Sequence, residues 1–140
     1  VTVDALNDFL AQVQPGDYLS LQAYVQPTEA TTAALQALRL QLRERTKVAT
    51  TVGYGPRYLH STGQLHKGDG GGGLFIQFTS DVLEDVGIPD VAGEAGGAMS
   101  FGVLIRAQAL GEQQALLNNN RRVIHFHLGV DVVAGIRSLI

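Results

Sequence analysis

The chain has no cysteine, no tryptophan, one methionine, and no apolar run near the roughly 20 residues that a bilayer-spanning helix needs. Each absence excludes something. Without cysteine there are no disulfides and no thiolate-bound metal, so stability must come from packing, and a cytoplasmic protein is expected. The first residues lack the basic-then-apolar layout of a secretory signal. Charge of neither sign dominates. A net charge of −3 with 45% apolar residues describes an ordinary globular protein, and the pair Arg121-Arg122 is too short for a nucleic-acid patch. At 140 residues one domain with a sizeable core is expected. Because the chain opens on Val1 and not on methionine, we expect it to be part of a longer polypeptide.

What is present alternates between two periodicities. Leu6, Phe9, Leu10 and Val13 recur at helical spacing over 3–13, and Gln14-Pro15-Gly16-Asp17 breaks that helix. Residues 18–25 read as a strand closed by Pro27. Thr28 can cap a helix running to about Thr46, with Ala34, Leu35, Leu38 and Leu42 on one face. Residues 47–54 form a second strand, and Gly55-Pro56 leads into a short helix over 57–65. A glycine-rich bridge, 68–73, enters a third strand at 74–78. The stretch 80–97 is irregular and acidic. Ser100 then caps a helix whose apolar face is expected to hold Val103, Leu104, Ala107 and Leu110. A fourth strand at 122–128 and a terminal helix over 130–140 complete the order. Strands alternating with helical crossovers of this length predict an α/β protein, a mostly parallel sheet covered on both faces. In such sheets ligands bind beyond the carboxyl ends of the strands, where the segment after the second strand begins.

That segment gathers Arg57, His60, Ser61, Gln64, His66 and Lys67 between two apolar runs. Two readings stand. In one, His60 exchanges a proton near neutral pH while Ser61 and Gln64 bond sugar hydroxyls, and Arg57 and Lys67 with the following glycine amides hold a phosphate. In the other, the segment is a solvated helix face with a histidine resting on Tyr58. Gly70 to Gly73 lacks the Gly-Lys-Ser/Thr ending of a nucleotide loop and leads into a strand, so nucleotide binding is not expected. His125 and His127 share a strand face and, with His60 or His66, define a three-histidine metal alternative.

The run Leu59-His60-Ser61-Thr62-Gly63-Gln64 resembles the segment carrying the catalytic histidine in bacterial glucose-6-phosphate isomerases. The longer string 53–68, with Leu74-Phe75-Ile76-Gln77 after it, is closer to the C-terminal part of transaldolase–glucose-6-phosphate isomerase fusion proteins. Gly16-Asp17-Tyr18, Ala23-Tyr24, Arg45-Thr46 and Ser100-Phe101-Gly102-Val103-Leu104 extend the likeness over most of the chain. The resemblance implies a three-layer sugar-isomerase (SIS-like) domain forming the C-terminal portion of an isomerase of glucose 6-phosphate and fructose 6-phosphate. It implies His60 as a proton shuttle at the ring oxygen, no metal or organic cofactor, and a homodimer in which this histidine serves the neighbouring subunit. Around it we expect Ser61 and Gln64 to orient sugar hydroxyls and Arg57, His66 and Lys67 to provide polar or positive surroundings to the substrate. The phosphate-binding loop would lie outside the chain. Glu29 falls roughly where the general-base carboxylate is expected but at a different spacing, and the C-terminal lysine pattern is missing, with Arg137 in that region. A non-catalytic sugar-phosphate-binding or regulatory module, or a dimerisation module using the Ala34–Leu42 face, are the alternatives.

Overall fold

The computed structural model describes residues 2–140. Helix α1 (Val3–Leu10) precedes strand β1 (Tyr18–Tyr24), α2 (Glu29–Thr46) and β2 (Ala49–Tyr54). A 3-10 turn (Arg57–His60), α3 (Gly63–Gly68) and β3 (Gly73–Thr79) follow. The two-residue strands β4 (Gly87–Ile88) and β5 (Met99–Ser100) pair antiparallel, then come α4 (Phe101–Asn118), β6 (Arg122–His127) and α5 (Val132–Arg137). The main sheet is wholly parallel, in the order β2-β1-β3-β6. Helices lie on both faces, which makes a three-layer α/β sandwich.

The register divides the side chains of the sheet into two unlike sets. Leu19, Leu21 and Ala23 of β1 stand beside Leu74, Ile76 and Phe78 of β3, and all six are fully buried. They join Leu6 and Phe9 of α1, Leu35, Leu38 and Leu42 of α2, and Ile136 of α5 in one apolar cluster. Burial of such side chains stabilises by about 1.5–3 kcal/mol each and supplies the main cohesion of the fold. The Ala34–Leu42 face therefore belongs to the chain's own core and is not available as a dimer surface. The other side of the sheet carries the buried polar groups: Ser20, Gln22 and Gln77 lie there beside the buried Phe75 and Tyr24, beneath His66 of α3 and Glu112 of α4.

That polar side explains the main departure from the expected helix faces. Helix α4 buries Gly102, Ala109, Glu112 and Leu116, whereas Val103, Ala107 and Leu110 are exposed. Its inward face meets hydrogen-bonding groups: Gln77 Nε2 donates to the Ala109 carbonyl at 2.9 Å. That surface takes glycine, alanine and a glutamate as well as Leu116, so apolar periodicity pointed to the wrong side. Helix α2 starts where expected because Thr28 Oγ1 accepts from the Thr31 amide at 3.0 Å. Thr28→Ala is expected to lower stability by about 1 kcal/mol, read as a lower midpoint in urea at unchanged slope.

Candidate active site and cavity

The segment 57–68 begins at the carboxyl end of β2 and returns along the polar side of the sheet. It is not one helix. Ser61 and Thr62 interrupt it, their hydroxyls turning back to the Tyr58 carbonyl at 3.1 and 3.4 Å. Ser61 thus lies outside α3, and the expected helix over 57–65 is split in two. Tyr58 anchors the turn. Its ring is buried, and its hydroxyl lies 3.2 Å from that of Tyr24. Burial pushes the Tyr24 phenol up to about 12 and the Tyr58 phenol up as well, so both remain neutral near pH 7.

The structure separates the six candidate residues into two groups. Arg57, His60, Ser61 and Gln64 are exposed, and no side-chain hydrogen bond ties Arg57, His60 or Gln64 to another described residue. His66 and Lys67 are used inside the fold. The His66 ring is 5% exposed and packs against Phe75 at 5.1 Å and Tyr58 at 5.8 Å, with Nδ1 3.4 Å from Gln22 Nε2. Lys67 Nζ is held 2.6 Å from Glu112 Oε2, whose side chain is 4% exposed. The expected phosphate cradle in the glycine bridge is filled by the chain's own carboxylate. Asp69 accepts from the Gly71 amide at 2.9 Å and from Tyr18 Oη at 2.6 Å, and Arg121 lies 3.2 Å away. This bridge also enters the amino end of β3, opposite to where α/β sheets bind ligands.

Burial holds the His66 pKa below its ordinary 6.5, with a smaller opposing effect of Asp69 and a lowering effect of Lys67. The sign follows. The unfolded chain takes up a proton as pH falls through 6.5 while the native imidazole stays neutral, so stability is fully present above 6.5 and declines below it, down to the native pKa. Urea midpoints measured from pH 7.5 to 5 should fall, and His66→Gln should flatten that fall. An equal slope in the variant would show that another group is responsible.

A separate cavity of about 950 Å³ opens beyond the carboxyl ends of β1, β3 and β6. Strand β1 connects to β2 on one side of the sheet, and the order continues through β3 to β6 on the other, so β1 and β3 flank the topological switch point. Tyr24, Gln77 and Thr79 line the cavity floor, His125 and His127 one wall, and residues 80–86 with the start of α4 the remainder. The acidic stretch is pinned to that helix: Asp85 accepts from Ser100 Oγ at 2.5 Å and from the Gly102 amide at 2.8 Å.

His125 and His127 do share a face. Thr79 Oγ1 lies 2.7 Å from His125 Nε2 and 3.1 Å from His127 Nδ1, and His127 Nε2 is 3.1 Å from Asp81 Oδ1. The residue pairs of β3 and β6 produce this arrangement, Thr79 opposite His127 and Gln77 opposite His125. Among the described residues no three His, Cys, Asp or Glu side chains are grouped to hold a metal ion, so the three-histidine alternative does not assemble. No helix of the described residues is long and apolar enough to cross a membrane. None of the six candidate residues lines the cavity. The residues that sequence reasoning missed there are Thr79 and Asp81, and the alternation of His125 and His127 was the only signal toward them.

Fold and site together define a parallel α/β sandwich with its open cavity at the switch point. No described protein family matches the chain, and no curated protein does. Among solved structures it is similar to a hypothetical protein, TT0462, from Thermus thermophilus, with a TM-score of 0.69 and 20% identity. That match covers 98% of this chain and 35% of the other, so the chain spans about a third of its solved neighbour. At this identity the likeness establishes the fold alone.

Proposed function

We propose that the chain is an SIS-like sugar-isomerase domain, the C-terminal portion of an aldose–ketose isomerase that interconverts glucose 6-phosphate and fructose 6-phosphate. The observation that carries this reading is the placement of His60. It stands exposed at the end of the turn leaving β2, with Arg57, Ser61 and Gln64 close in sequence, and no element of the described residues covers it. An imidazole so placed can serve a site completed by a second subunit, as the resemblance to glucose-6-phosphate isomerases implies.

In this mechanism His60 carries the proton at the pyranose ring oxygen as the ring opens, and Ser61 and Gln64 orient hydroxyls. Arg57 supplies positive charge. His66 and Lys67 act from beneath, fixing the height and tilt of α3. A carboxylate then moves a proton between C2 and C1 through a cis-enediol. Glu29 is the candidate this chain offers. It opens α2 just beyond the carboxyl end of β1, the strand paired with β2. The chemistry calls for no metal or organic cofactor, and the assembly is a homodimer of the full-length protein. A coupled assay of the full-length protein with glucose 6-phosphate tests the reading. Turnover supports it, whereas binding of sugar phosphate without turnover would favour the regulatory alternative.

A further inference from the structure

The cavity beyond β1, β3 and β6 is unused by this isomerase reading, and its surface has a definite chemical character. Its rim exposes large apolar side chains: Leu83 is 75% exposed, Val86 60%, Leu110 59%, Val130 58% and Phe101 50%. Its volume falls in the range that holds small organic molecules. Its polar wall is rich in acceptors. Asp81, Glu84 and Asp85 line it, and Arg106 is the only Lys or Arg among the described lining residues.

The hydrogen inventory of the histidine wall points the same way. Asp81 is an acceptor, so His127 Nε2 carries a hydrogen toward it, and in the neutral tautomer Nδ1 is then bare. Thr79 has a single hydroxyl hydrogen, which it then donates to His127 Nδ1. Its oxygen in turn accepts from His125 Nε2. In that tautomer the chain of bonds ends on an unprotonated His125 Nδ1, a further acceptor. Burial, with a smaller effect of His127, holds the His125 pKa below 6.5, consistent with a neutral ring. Three carboxylates set against Arg106 favour a cation over an anion at this wall.

We propose that this cavity binds a small organic cation, a primary amine carried on an apolar body. The ammonium would meet Asp81, Glu84 and His125, and the body would cover Phe101 and Leu110. The assignment stands apart from the isomerase reading and survives its failure. The test is a titration of the full-length protein with 3-phenylpropylamine, following the ring proton resonances of His125 and His127. The same carbon skeleton as 3-phenylpropionate is the charge-reversed control.

The amine should give saturable shifts at both histidines, with affinity about tenfold or more above that of the carboxylate. Glu84→Gln and Asp81→Asn are surface changes that leave the core intact. Each should weaken the amine about threefold, and together about tenfold. Equal binding of amine and carboxylate would overturn the proposal. So would an amine that leaves both histidines unshifted, or an affinity indifferent to both substitutions.

Discussion

On the proposed isomerase reading, His60→Ala in the full-length protein should lower the turnover of glucose 6-phosphate by about 10²–10⁴-fold, the range that a positioned proton shuttle contributes. The variant is well suited to the question. His60 is exposed and makes no side-chain hydrogen bond to a described residue, so its removal should change stability by no more than about 0.5 kcal/mol. Lost activity can then be assigned to chemistry. Two rates separate the possible roles. A shuttle at the ring oxygen slows both anomerisation of the pyranose and isomerisation to the ketose. A group acting at C1 and C2 slows the second alone. Unchanged turnover in an active full-length protein would remove His60 from the mechanism. His60→Gln, which keeps a hydrogen bond but cannot shuttle a proton near neutral pH, should fail almost as badly.

Lys67→Met should destabilise the fold by about 3–5 kcal/mol, the cost of leaving a buried carboxylate without its counter-charge. Glu112 is the reason. Its side chain is 4% exposed, Oε2 is held by Lys67, and Oε1 has no hydrogen-bond partner among the described residues. Pairing Lys67→Met with Glu112→Leu removes both charges and should recover most of the loss, because a dehydrated pair can often be exchanged for apolar groups at little cost. Urea unfolding of the wild type, both single variants and the double variant closes the cycle. A single-variant cost below about 1 kcal/mol would mean that water reaches Glu112 and that the pair behaves as a surface bridge. A lysine that resembles a ligand-binding residue in sequence would then be free to act as one.

Much of the architecture was legible because local signals and burial agreed. The α2 boundaries follow from the Thr28 cap and a leucine stripe that does face the core, and β1, β3 and β6 lie within a residue of their expected limits. The failures share one physical origin. Hydrophobic periodicity reports a face that packs on oil, and one side of this sheet mixes oil with buried polar groups. Helix α4 was therefore turned the wrong way, and the inward roles of His66, Lys67 and Glu112 were not visible. Nor was the Ser61–Thr62 interruption, which depends on hydroxyls bonding back to Tyr58. The cavity depends on strand order, and order arises from long-range pairing that spacing along the chain does not encode. Alternation alone set His125 beside His127, but only the β3–β6 register brought Thr79 between them.

The unequal sides of the sheet have a mechanical consequence. Apolar cohesion is nearly indifferent to angle, so the layer of α1, α2 and α5 provides grip. Hydrogen bonds weaken steeply when misaligned, so the Tyr24–Tyr58 and Lys67–Glu112 links on the other side provide aim. The loop bearing an exposed imidazole is thus mounted on the directional half of the molecule, like an instrument bolted to its bench.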